Sequence, residues 1–554
     1  MRYDHQQGRV DLEEFCGTQT TNYWSADPHA RRVVRHLAGD ERLAAWEEDF
    51  ESFGAEAAGP IDVAVRANNR GENLPVVERF DAYGERIEEV AHHPSYHEAG
   101  RAIYGSGVMA ALGQADSNLR ALTLFYISSQ NGEAGHNCPL ACTAGVIKTL
   151  RFVASPGQRE RYLDRLLRTD YDLLAHGAQF LTEVQGGSDV GANELVARPV
   201  EGQPGEWRLF GEKWFCSNVT ADLILVTARP EGAGEGTRGL GLFLMPRRLP
   251  DGSLNALQIR RLKDKLGTRT MATGEVDLEG AWAWQVGPLA DGFRNVMTYV
   301  INTSRAFNAV ACMGAARRAC LVAHGYAQHR RGFGAAIASY PMVQETLADM
   351  RAETAAMVSG TLQLVHHLDE AEGSRLDAAH QAFVRVALNL NKTRTAIAAH
   401  EVINSGIEVL GGNGTVETFS VLPRLLRDNV VFENWEGSHN VLLLQVLRDC
   451  QRKRFHDGFF ATLERLTRGH ARLHEASVET HRELDAILVG DAAEASLKMR
   501  RLGARMSYLH WAGAMLQDGT EREVIEHFVD RRIGPPAPRD AKYLARIASL
   551  AQQA

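Results

Sequence analysis

The residue pattern of this chain changes twice, near residue 178 and near residue 302, and this order constrains the fold more than any other feature. Between the two changes, short segments rich in aromatic, β-branched and threonine residues predict strands at 207–215, 223–228, 240–245 and 271–278. No helical segments alternate with these strands. The pattern therefore predicts an antiparallel β domain with hairpin connections and argues against a doubly wound nucleotide-binding fold.

Helical patterns occupy both flanks of this β segment. Alanine, leucine and charged residues recur at helical spacing over 24–173. Five later apolar residues, spaced by three, four or seven positions, would share one helix face: Val343, Leu347, Met350, Met357 and Leu364. Long amphipathic helices joined by short loops predict a bundle. We expect an α+β multidomain protein with an N-terminal α-helical domain (1–177), a middle antiparallel β domain (178–285), a C-terminal four-helix-bundle domain (286–449) and an additional helical domain (450–554).

Charge and cysteine content limit the classes of protein to which this chain can belong. The formal net charge is −8, from 61 Lys+Arg and 69 Asp+Glu, so the whole chain is not drawn to nucleic acid or anionic membranes. The seven cysteines are scattered and odd in number, which fits a reducing compartment. Residues 1–10 lack the apolar core of a secretory signal, and no run approaches the roughly 18–20 uninterrupted apolar residues of a spanning helix. We expect a cytoplasmic enzyme or binding protein without a membrane segment.

Two segments of the predicted β domain carry candidate binding residues. Residues 181–190 (LTEVQGGSDV) place adjacent glycines near the hydroxyls of Thr182 and Ser188, which suits close approach of a ligand to the backbone. A polar turn that ends a helix is an equal alternative. In residues 211–218 (GEKWFCSN), Phe215 and Ser217 could lie beside a flat heterocycle, although an aromatic residue on a β surface more often belongs to the core.

Three further segments lie in the C-terminal half. Residues 330–334 (RRGFG) close a predicted helix, where arginine could pair with phosphate or complement the helix dipole. Residues 410–414 (LGGNG) are a helix-ending signal. Residues 434–440 (NWEGSHN) place Glu436 in a partly apolar setting that raises carboxyl basicity and suits proton abstraction. A surface carboxylate near a helix start is the alternative.

Histidine and cysteine spacings do not predict a metal site. His92, His93 and His97 have no second ligand pair at a suitable spacing, so polar packing is favoured over zinc. Cys138 and Cys142 are expected to pack together rather than to form a redox couple.

In order and spacing, these segments resemble the acyl-CoA dehydrogenase superfamily from the N-terminal helices to Asp449. Each is a weak or moderate signal alone, whereas the ordered combination is strong. Residues 261–267 (RLKDKLG), Gln185 and the extra helical stretch after Asp449 are similar to the AidB branch, flavoproteins linked to the bacterial alkylation response.

The resemblance implies an FAD site, an acyl-thioester site and a catalytic base, Glu436. The implied cofactor positions are Gln179, Phe180, Leu181, Thr182, Gly187, Ser188, Phe215, Ser217, Arg330, Phe333, Glu408, Gly411, Gly412, Ser438 and Asn440. Positions that match substrate contacts are Ser188, Arg305 and Gly437. In the family pattern, Thr182 would bond the isoalloxazine edge, Arg330 would reach the pyrophosphate, and 408–412 would approach the adenine end from a neighbouring subunit of a homotetramer.

Three positions depart from the commoner family pattern. Glu408 and Asn440 stand where glutamine is usual, and Phe215 stands where tryptophan is usual. These changes keep most of the hydrogen-bonding capacity.

The implied reaction is α,β-dehydrogenation of an acyl thioester such as an acyl-CoA. Glu436 would take the α-proton while the β-hydride passes to the flavin, and electron-transfer flavoprotein would accept the electrons.

Two other functions stay open on the sequence. Basic residues after Asp449, among them Arg452, Lys453 and Arg454, could form a phosphate-binding patch. The chain would then be a DNA-associated flavoprotein with little dehydrogenase activity. Acidic residues interleave with the basic ones, which equally fits a solvated or packing surface. A flavin oxidase is the third hypothesis.

Overall fold

The computed structural model describes residues 6–17, 19–535 and 537–553. In chain order the helices are α1 (Gln7–Gly17), α2 (Pro28–Ala38), α3 (Asp40–Glu56), α4 (Asp62–Asn68), α5 (Pro94–Gly105), α6 (Val108–Ala111), α7 (Asn118–Ser129), α8 (Ala134–Phe152), α9 (Pro156–Leu166), α10 (Gly292–Asn295), α11 (Asn302–His329), α12 (Pro341–Glu372), α13 (Ala378–Leu410), α14 (Leu422–Asn434), α15 (His439–Lys453), α16 (Phe455–Leu466), α17 (Ala471–Leu488), α18 (Ala492–Gln517), α19 (Arg522–Arg532) and α20 (Ala541–Leu550).

The strands are β1 (Val76–Phe80), β2 (Arg86–Ala91), β3 (Gly177–Phe180), β4 (Val196–Pro199), β5 (Glu206–Ser217), β6 (Leu223–Pro230), β7 (Gly241–Pro246), β8 (Leu257–Leu262), β9 (Thr273–Gln285), β10 (Arg331–Gly332) and β11 (Ala335–Ala336). The order of elements confirms the predicted succession of a helical, a β and a helical domain, with further helices after residue 450.

The chain forms two compact units, each assembled from separate segments. Unit 1 contains residues 1–59, 118–132 and 308–554, and unit 2 contains residues 60–117 and 133–307. The N-terminal helical segment therefore contributes to both units, and the middle β domain lies wholly in unit 2.

The β domain of unit 2 is a seven-stranded sheet that closes on itself. Strand β6 pairs with β7, β7 with β9, β9 with β5, β5 with β4, and β4 again with β6. The longest ladder joins β5 to β9 in antiparallel register, from Glu206 opposite Trp284 to Ser217 opposite Thr273. Apolar side chains such as Phe180, Val226 and Phe243 fill the core of this domain.

The prediction of a purely antiparallel domain needs one correction. Strand β3 pairs with β6 in parallel, and so does the end of β4. Strands β4 and β5 lie between β3 and β6 in the chain, so the β3–β6 connection is a crossover and not a hairpin. Sequence patterns identify strands but not which strand lies beside which.

A β-hairpin, β1–β2, interrupts the N-terminal segment that the sequence predicted as mainly helical. Four of the five β1 residues are exposed, so the strand lacks the apolar alternation that identifies half-buried strands. The hairpin is anchored through Glu88, whose buried carboxylate accepts a hydrogen bond from the Ile259 backbone N–H at 2.7 Å.

In unit 1, α12 and α13 are the long central helices of the C-terminal domain. Helix α13 packs against α12, α14, α15, α16 and α18. The predicted apolar face of α12 is confirmed: Leu347, Met350, Met357 and Leu364 are buried, and Val343 is half-buried.

The α12–α18 contact is tight because α12 has a glycine where the two helices meet. A Cβ on Gly360 would lie 2.1 Å from Cδ1 of Trp511, which is fully buried. The Trp511 indole N–H donates to the Asn391 side chain at 2.8 Å. The helices after residue 450 are thus part of the core of unit 1.

One helical stretch among the described residues, Leu289–His329, is long and apolar enough to cross a membrane by length and composition alone. Within its most apolar window, 94% of the residues are buried in the protein. Helices buried in a protein core also combine such a length with such an apolar composition.

We expect Gly360→Ala to destabilise the protein by about 1–3 kcal/mol, because the added methyl group overpacks the contact with Trp511. Chemical unfolding followed by tryptophan fluorescence measures the shift. Gly157→Ala is the matched control, since a Cβ at Gly157 in helix α9 meets nothing within 4 Å. A midpoint for Gly360→Ala equal to that of the control would contradict this account of the contact.

Candidate functional site

The sequence-predicted site residues divide between the two units. Unit 2 contains Gln179, Phe180, Leu181, Thr182, Gly187, Ser188, Phe215, Ser217 and Arg305. Unit 1 contains Arg330, Phe333, Glu408, Gly411, Gly412, Glu436, Gly437, Ser438 and Asn440.

In unit 2, a buried ion pair holds the glycine-rich loop that follows β3. Lys213 Nζ lies 2.6 Å from Glu183 Oε1, with side-chain exposures of 0% and 3%. Lys213 also donates to the Leu181 carbonyl at 3.1 Å, and Glu183 accepts from the Glu194 backbone N–H at 2.6 Å. Burial lowers the pKa of the Lys213 ammonium, and the Glu183 carboxylate opposes that shift. Loss of one partner would leave a buried charge, so the pair fixes the loop on the sheet.

The loop and the end of β5 lie side by side. The Trp214 backbone N–H donates to the Thr182 carbonyl at 2.9 Å. A Cβ on Gly187 would lie 2.8 Å from Thr182 Oγ1, so a larger residue there would push the Thr182 side chain aside. Phe215, half exposed on the same strand end, lies with its ring centroid 4.5 Å from Lys263 Nζ. The structure thus brings an exposed aromatic ring beside a polar, glycine-rich loop.

The neighbouring predicted residues differ in accessibility. Phe180 is fully buried in the core of the β domain, so only its backbone can face a ligand. Gln179 donates to Ser304 Oγ at 3.1 Å, and Arg305 is buried. Ser217 Oγ lies 3.4 Å from Thr273 Oγ1. Half-buried Leu181 and exposed Ser188 complete the set.

In unit 1, Glu436 lies on the turn between α14 and α15 in a left-handed backbone conformation. Its φ is 58°, and that of Gly437 is 107°. For a residue with a Cβ this region costs about 1 kcal/mol or more, so surrounding contacts must impose it. Ser438 and Asn440 begin helix α15 on the same turn.

Buried and half-buried polar groups hold this turn. Lys392 of α13, with no exposed surface, donates to the carbonyls of Glu433 at 3.1 Å and Gly437 at 2.9 Å. The Trp435 indole N–H donates to the Asn308 side chain. The helix before Glu436 and the residue after it are therefore tied to the same ammonium group.

Two histidines fix the last turn of α14 through Glu433. Its carboxylate lies 2.8 Å from His400 Nδ1 and 3.3 Å from His439 Nε2. Burial alone would raise the pKa of the Glu433 carboxyl, but hydrogen bonds from His439 and His400 outweigh it and lower the pKa. Glu433 therefore stays ionised, whereas Glu436 is the half-buried carboxylate that this framework presents on the turn.

Arg330 follows α11 at the start of a tight β10–β11 hairpin. Its tip, Phe333 and Gly334, has positive φ at both positions, and Phe333 is completely exposed. Arg330 Nη1 lies 3.7 Å from Asp11 Oδ2. The arginine is thus at the protein surface with one acidic neighbour.

The glycine segment at the end of α13 is exposed, including Glu408, Gly411 and Gly412. Gly411 ends the helix with φ of 60°. Asn413 donates to the Tyr326 hydroxyl of α11 at 3.2 Å, which places this segment beside the last turns of the helix that precedes Arg330.

Sequence reasoning missed the residues that support the candidate segments of each unit. Lys392 and the Glu183–Lys213 pair contact backbone carbonyls or bury charge beside the candidate residues. Two signals were available in the sequence. Lys392 stands inside the apolar pattern of α13, and the charged residues Glu183 and Lys213 stand near the ends of strands.

His92 and the two cysteines Cys138 and Cys142 pack against their neighbours. His92 stacks on Tyr96 at 3.8 Å, and burial lowers the pKa of its imidazole to about 3. The sulfurs of Cys138 and Cys142 lie 3.9 Å apart without a disulfide bond.

Comparison with known proteins assigns all three domains. Residues 17–173 match the adaptive response protein AidB N-terminal domain, residues 178–281 the acyl-CoA dehydrogenase middle domain, and residues 290–450 the acyl-CoA dehydrogenase C-terminal domain.

Individual relatives agree with these matches. Acyl-CoA dehydrogenase family member 11 of Caenorhabditis elegans is 32% identical over 78% of this chain and 71% of its own length. AidB of Escherichia coli is 32% identical over 73% of this chain and 74% of its own length. The crystal structure of Caenorhabditis elegans ACDH-11 in complex with C11-CoA is 26% identical, with a TM-score of 0.82 over 96% of this chain and 95% of that one. The chain therefore belongs to the acyl-CoA dehydrogenase family, on its AidB-like branch, and is an oxidoreductase of the acyl-CoA dehydrogenase type.

Proposed function

We propose that this protein is an FAD-dependent enzyme that α,β-dehydrogenates an acyl thioester, with Glu436 as the base. The observation that carries the proposal is the turn itself: a half-buried carboxylate in a left-handed conformation, held by Lys392 and Trp435. Strained backbone of this kind persists where the surroundings impose it, and such places are frequently functional.

The reaction breaks two C–H bonds of the substrate, one at Cα and one at Cβ. A Glu436 carboxylate oxygen accepts the proton from the substrate Cα, and the electron pair of that bond forms the new Cα=Cβ bond. The hydrogen on Cβ leaves with its electron pair. FAD, when bound, supplies the acceptor for that hydride. The contribution of the turn is to keep the carboxylate in one orientation, which general-base catalysis requires.

The residues of unit 2 fit a flat, polar-edged cofactor. A side chain at Gly187 would displace that of Thr182, and Phe215 exposes half of its surface on the adjacent strand. The proposed flavin contacts are the 179–188 segment, Phe215 and Ser217, with Ser438 and Asn440 following the base. Arg330 would hold the pyrophosphate in place of its present neighbour Asp11.

Several exposed groups support a homotetramer in the proposal. Phe333 at the hairpin tip is fully exposed, and Met342 at the start of α12 and Glu408 near the end of α13 are exposed. Glu408, Gly411, Gly412 and Phe333 would then contact FAD bound to a neighbouring subunit. Electron-transfer flavoprotein is the proposed electron acceptor, and the cytoplasm the proposed location.

The substrate in this proposal is an acyl-CoA. The relative from Caenorhabditis elegans was crystallised with C11-CoA, and its fold matches nearly the whole of this chain. Ser188, Arg305 and Gly437 are the proposed substrate contacts.

We expect Glu436→Gln to reduce flavin bleaching by acyl-CoAs by roughly 10²–10⁴-fold, the usual contribution of a general base. Anaerobic stopped-flow spectroscopy of the FAD-loaded protein with a panel of acyl-CoAs measures it. Glu464→Gln, an exposed glutamate of α16, is the matched control. Full reduction of the flavin in Glu436→Gln would show that another group removes the proton.

We expect Lys392→Met to lower kcat by roughly 10–100-fold, because the turn loses the donor that orients it. KM and flavin content should change little, which separates a positioning role from a loss of fold. Lys498→Met, an exposed lysine of α18, is the control. Unchanged kcat would mean that the turn is held without the ammonium group.

DNA association is the second candidate function, favoured by the match of residues 17–173 to the AidB N-terminal domain. The charge arrangement weighs against it. The basic residues of the C-terminal helices are largely ion-paired: Arg454 with Asp457, Arg501 with Glu483, Arg505 with Glu479, Arg531 with Asp349, and Arg532 with Glu353 and Glu401. Paired cations release fewer counterions on contact with phosphate.

We therefore expect no change in the fluorescence anisotropy of a labelled DNA duplex at ~50 mM salt. Substitution is a better probe than truncation after Asp449, because α16 and α18 pack on α13 and their removal would expose the core. Salt-dependent binding that Arg452→Glu and Lys453→Glu together abolish would establish the DNA-associated function instead.

A further inference from the structure

Four potential metal ligands converge where α16 begins and α17 runs past it. His456 and Asp457 are consecutive residues in the first turn of α16, and His481 and Asp485 are four residues apart on one face of α17. The ligand atoms of His456, Asp457 and His481 all lie within 4.8 Å of one another. All four belong to unit 1 and to the helices that follow the matched C-terminal domain.

The distances across the cluster are those between ligands of one small cation. His456 Nε2 lies 3.4 Å from Asp457 Oδ1 and 3.2 Å from Asp485 Oδ1. His481 Nε2 lies 3.9 Å from Asp457 Oδ1 and 3.7 Å from Asp485 Oδ2. Zinc bonds to nitrogen and oxygen of about 2.0–2.2 Å place two ligands of a tetrahedron about 3.3–3.6 Å apart. The four separations lie within about 0.3 Å of this range. Asp485 presents Oδ1 to His456 and Oδ2 to His481, so its side chain must also rotate to offer one oxygen to an ion.

Hydrogen bonding accounts for only part of the cluster, the contact of His456 Nε2 with Asp485 Oδ1 at 3.2 Å. His481 Nε2 is shielded from solvent and has no hydrogen-bond partner within the described part of the chain. Its separations from the two carboxylates exceed hydrogen-bond length. A buried imidazole nitrogen facing two carboxylates without bonding to either calls for a further atom between them.

Neighbouring groups hold the ligands in place. Phe460 stacks on the His481 ring at 4.3 Å, and Arg454 donates to both oxygens of Asp457 at 2.8 and 2.9 Å. A carboxylate oxygen can accept such a bond and still offer a lone pair to a metal, and ligands are commonly oriented in this way by an outer shell. The Arg454 charge lowers the affinity but fixes the carboxylate.

We propose that His456, Asp457, His481 and Asp485 form a binding site for one divalent transition-metal ion, of which zinc fits best. Two imidazoles and two carboxylates are donors that suit zinc, and the four distances lie within about 0.3 Å of the spacing in a tetrahedral site. The ion clamps the start of α16 to α17. His456 is fully buried, whereas the two aspartates are about half exposed, so the ion enters from solvent.

The test is isothermal titration of the metal-stripped full-length protein, purified without a histidine tag, with Zn²⁺ alone. Titration with Co²⁺ followed by visible absorption reports tetrahedral coordination. His481→Ala and Asp485→Ala remove one ligand each at partly exposed positions and avoid the buried His456. His474→Ala, an exposed histidine on the same helix, is the matched control.

We expect the wild-type protein and the control to bind about one equivalent of Zn²⁺ more tightly than either ligand variant. The loss of affinity in the variants should exceed the roughly 10–100-fold that follows loss of an outer-shell partner. The proposal is overturned if the wild type does not bind Zn²⁺, or if His481→Ala and Asp485→Ala bind Zn²⁺ as tightly as the wild type. In that case ion pairing alone holds the cluster.

Discussion

The ammonium group of Lys392, buried beneath the turn that carries Glu436, is the interaction on which the arrangement of unit 1 depends most. It joins the carbonyl of Glu433, at the end of α14, to that of Gly437. An isolated buried ammonium is costly, so it is stable only where such acceptors are fixed. Residues 386–396 of α13, which surround Lys392, are all buried, and the helix packs against α12, α16 and α18. The C-terminal helices thereby contribute to the placement of a residue far from them in the chain.

The same principle holds in unit 2. Lys213 and Glu183 are buried beneath a loop whose own residues, Gly187 and Ser188, are exposed. In both units a charged group without solvent contact sets the backbone course, and the residues that could contact a ligand lie half-buried or exposed above it. Binding residues on loops gain precision when rigid elements support them in this way. The supporting lysines are thus as much a part of the site as the residues above them.

The sequence predicted the parts of the structure that follow from local pattern. Strands β5, β6, β7 and β9 and the buried face of α12 agree with alternation and helical spacing. It did not predict the β1–β2 hairpin, whose first strand is mostly exposed, or the parallel pairing of β3 with β6, which is a long-range contact. Glu436 was predicted as the base because short motifs keep their order along the chain, and this role stays a prediction. Lys392 was missed because its partners are distant in the sequence. The His456 cluster was missed because the sequence does not show which residues lie beside one another.

The interleaving of the two units along the chain has a consequence for synthesis. Helix α7 belongs to unit 1, where it contacts α2 and α3, which precede it in the chain, and α12, which lies after residue 308. Every residue of α7 except Arg120 becomes buried. At about 5–20 residues per second, a ribosome needs roughly 10–40 s to extend the chain from α7 to that point. During this interval α7 can pack on α2 and α3, whereas α12, its other partner in unit 1, has not yet been made. The part of α7 that α12 covers therefore stays open until the second half of the chain is synthesised.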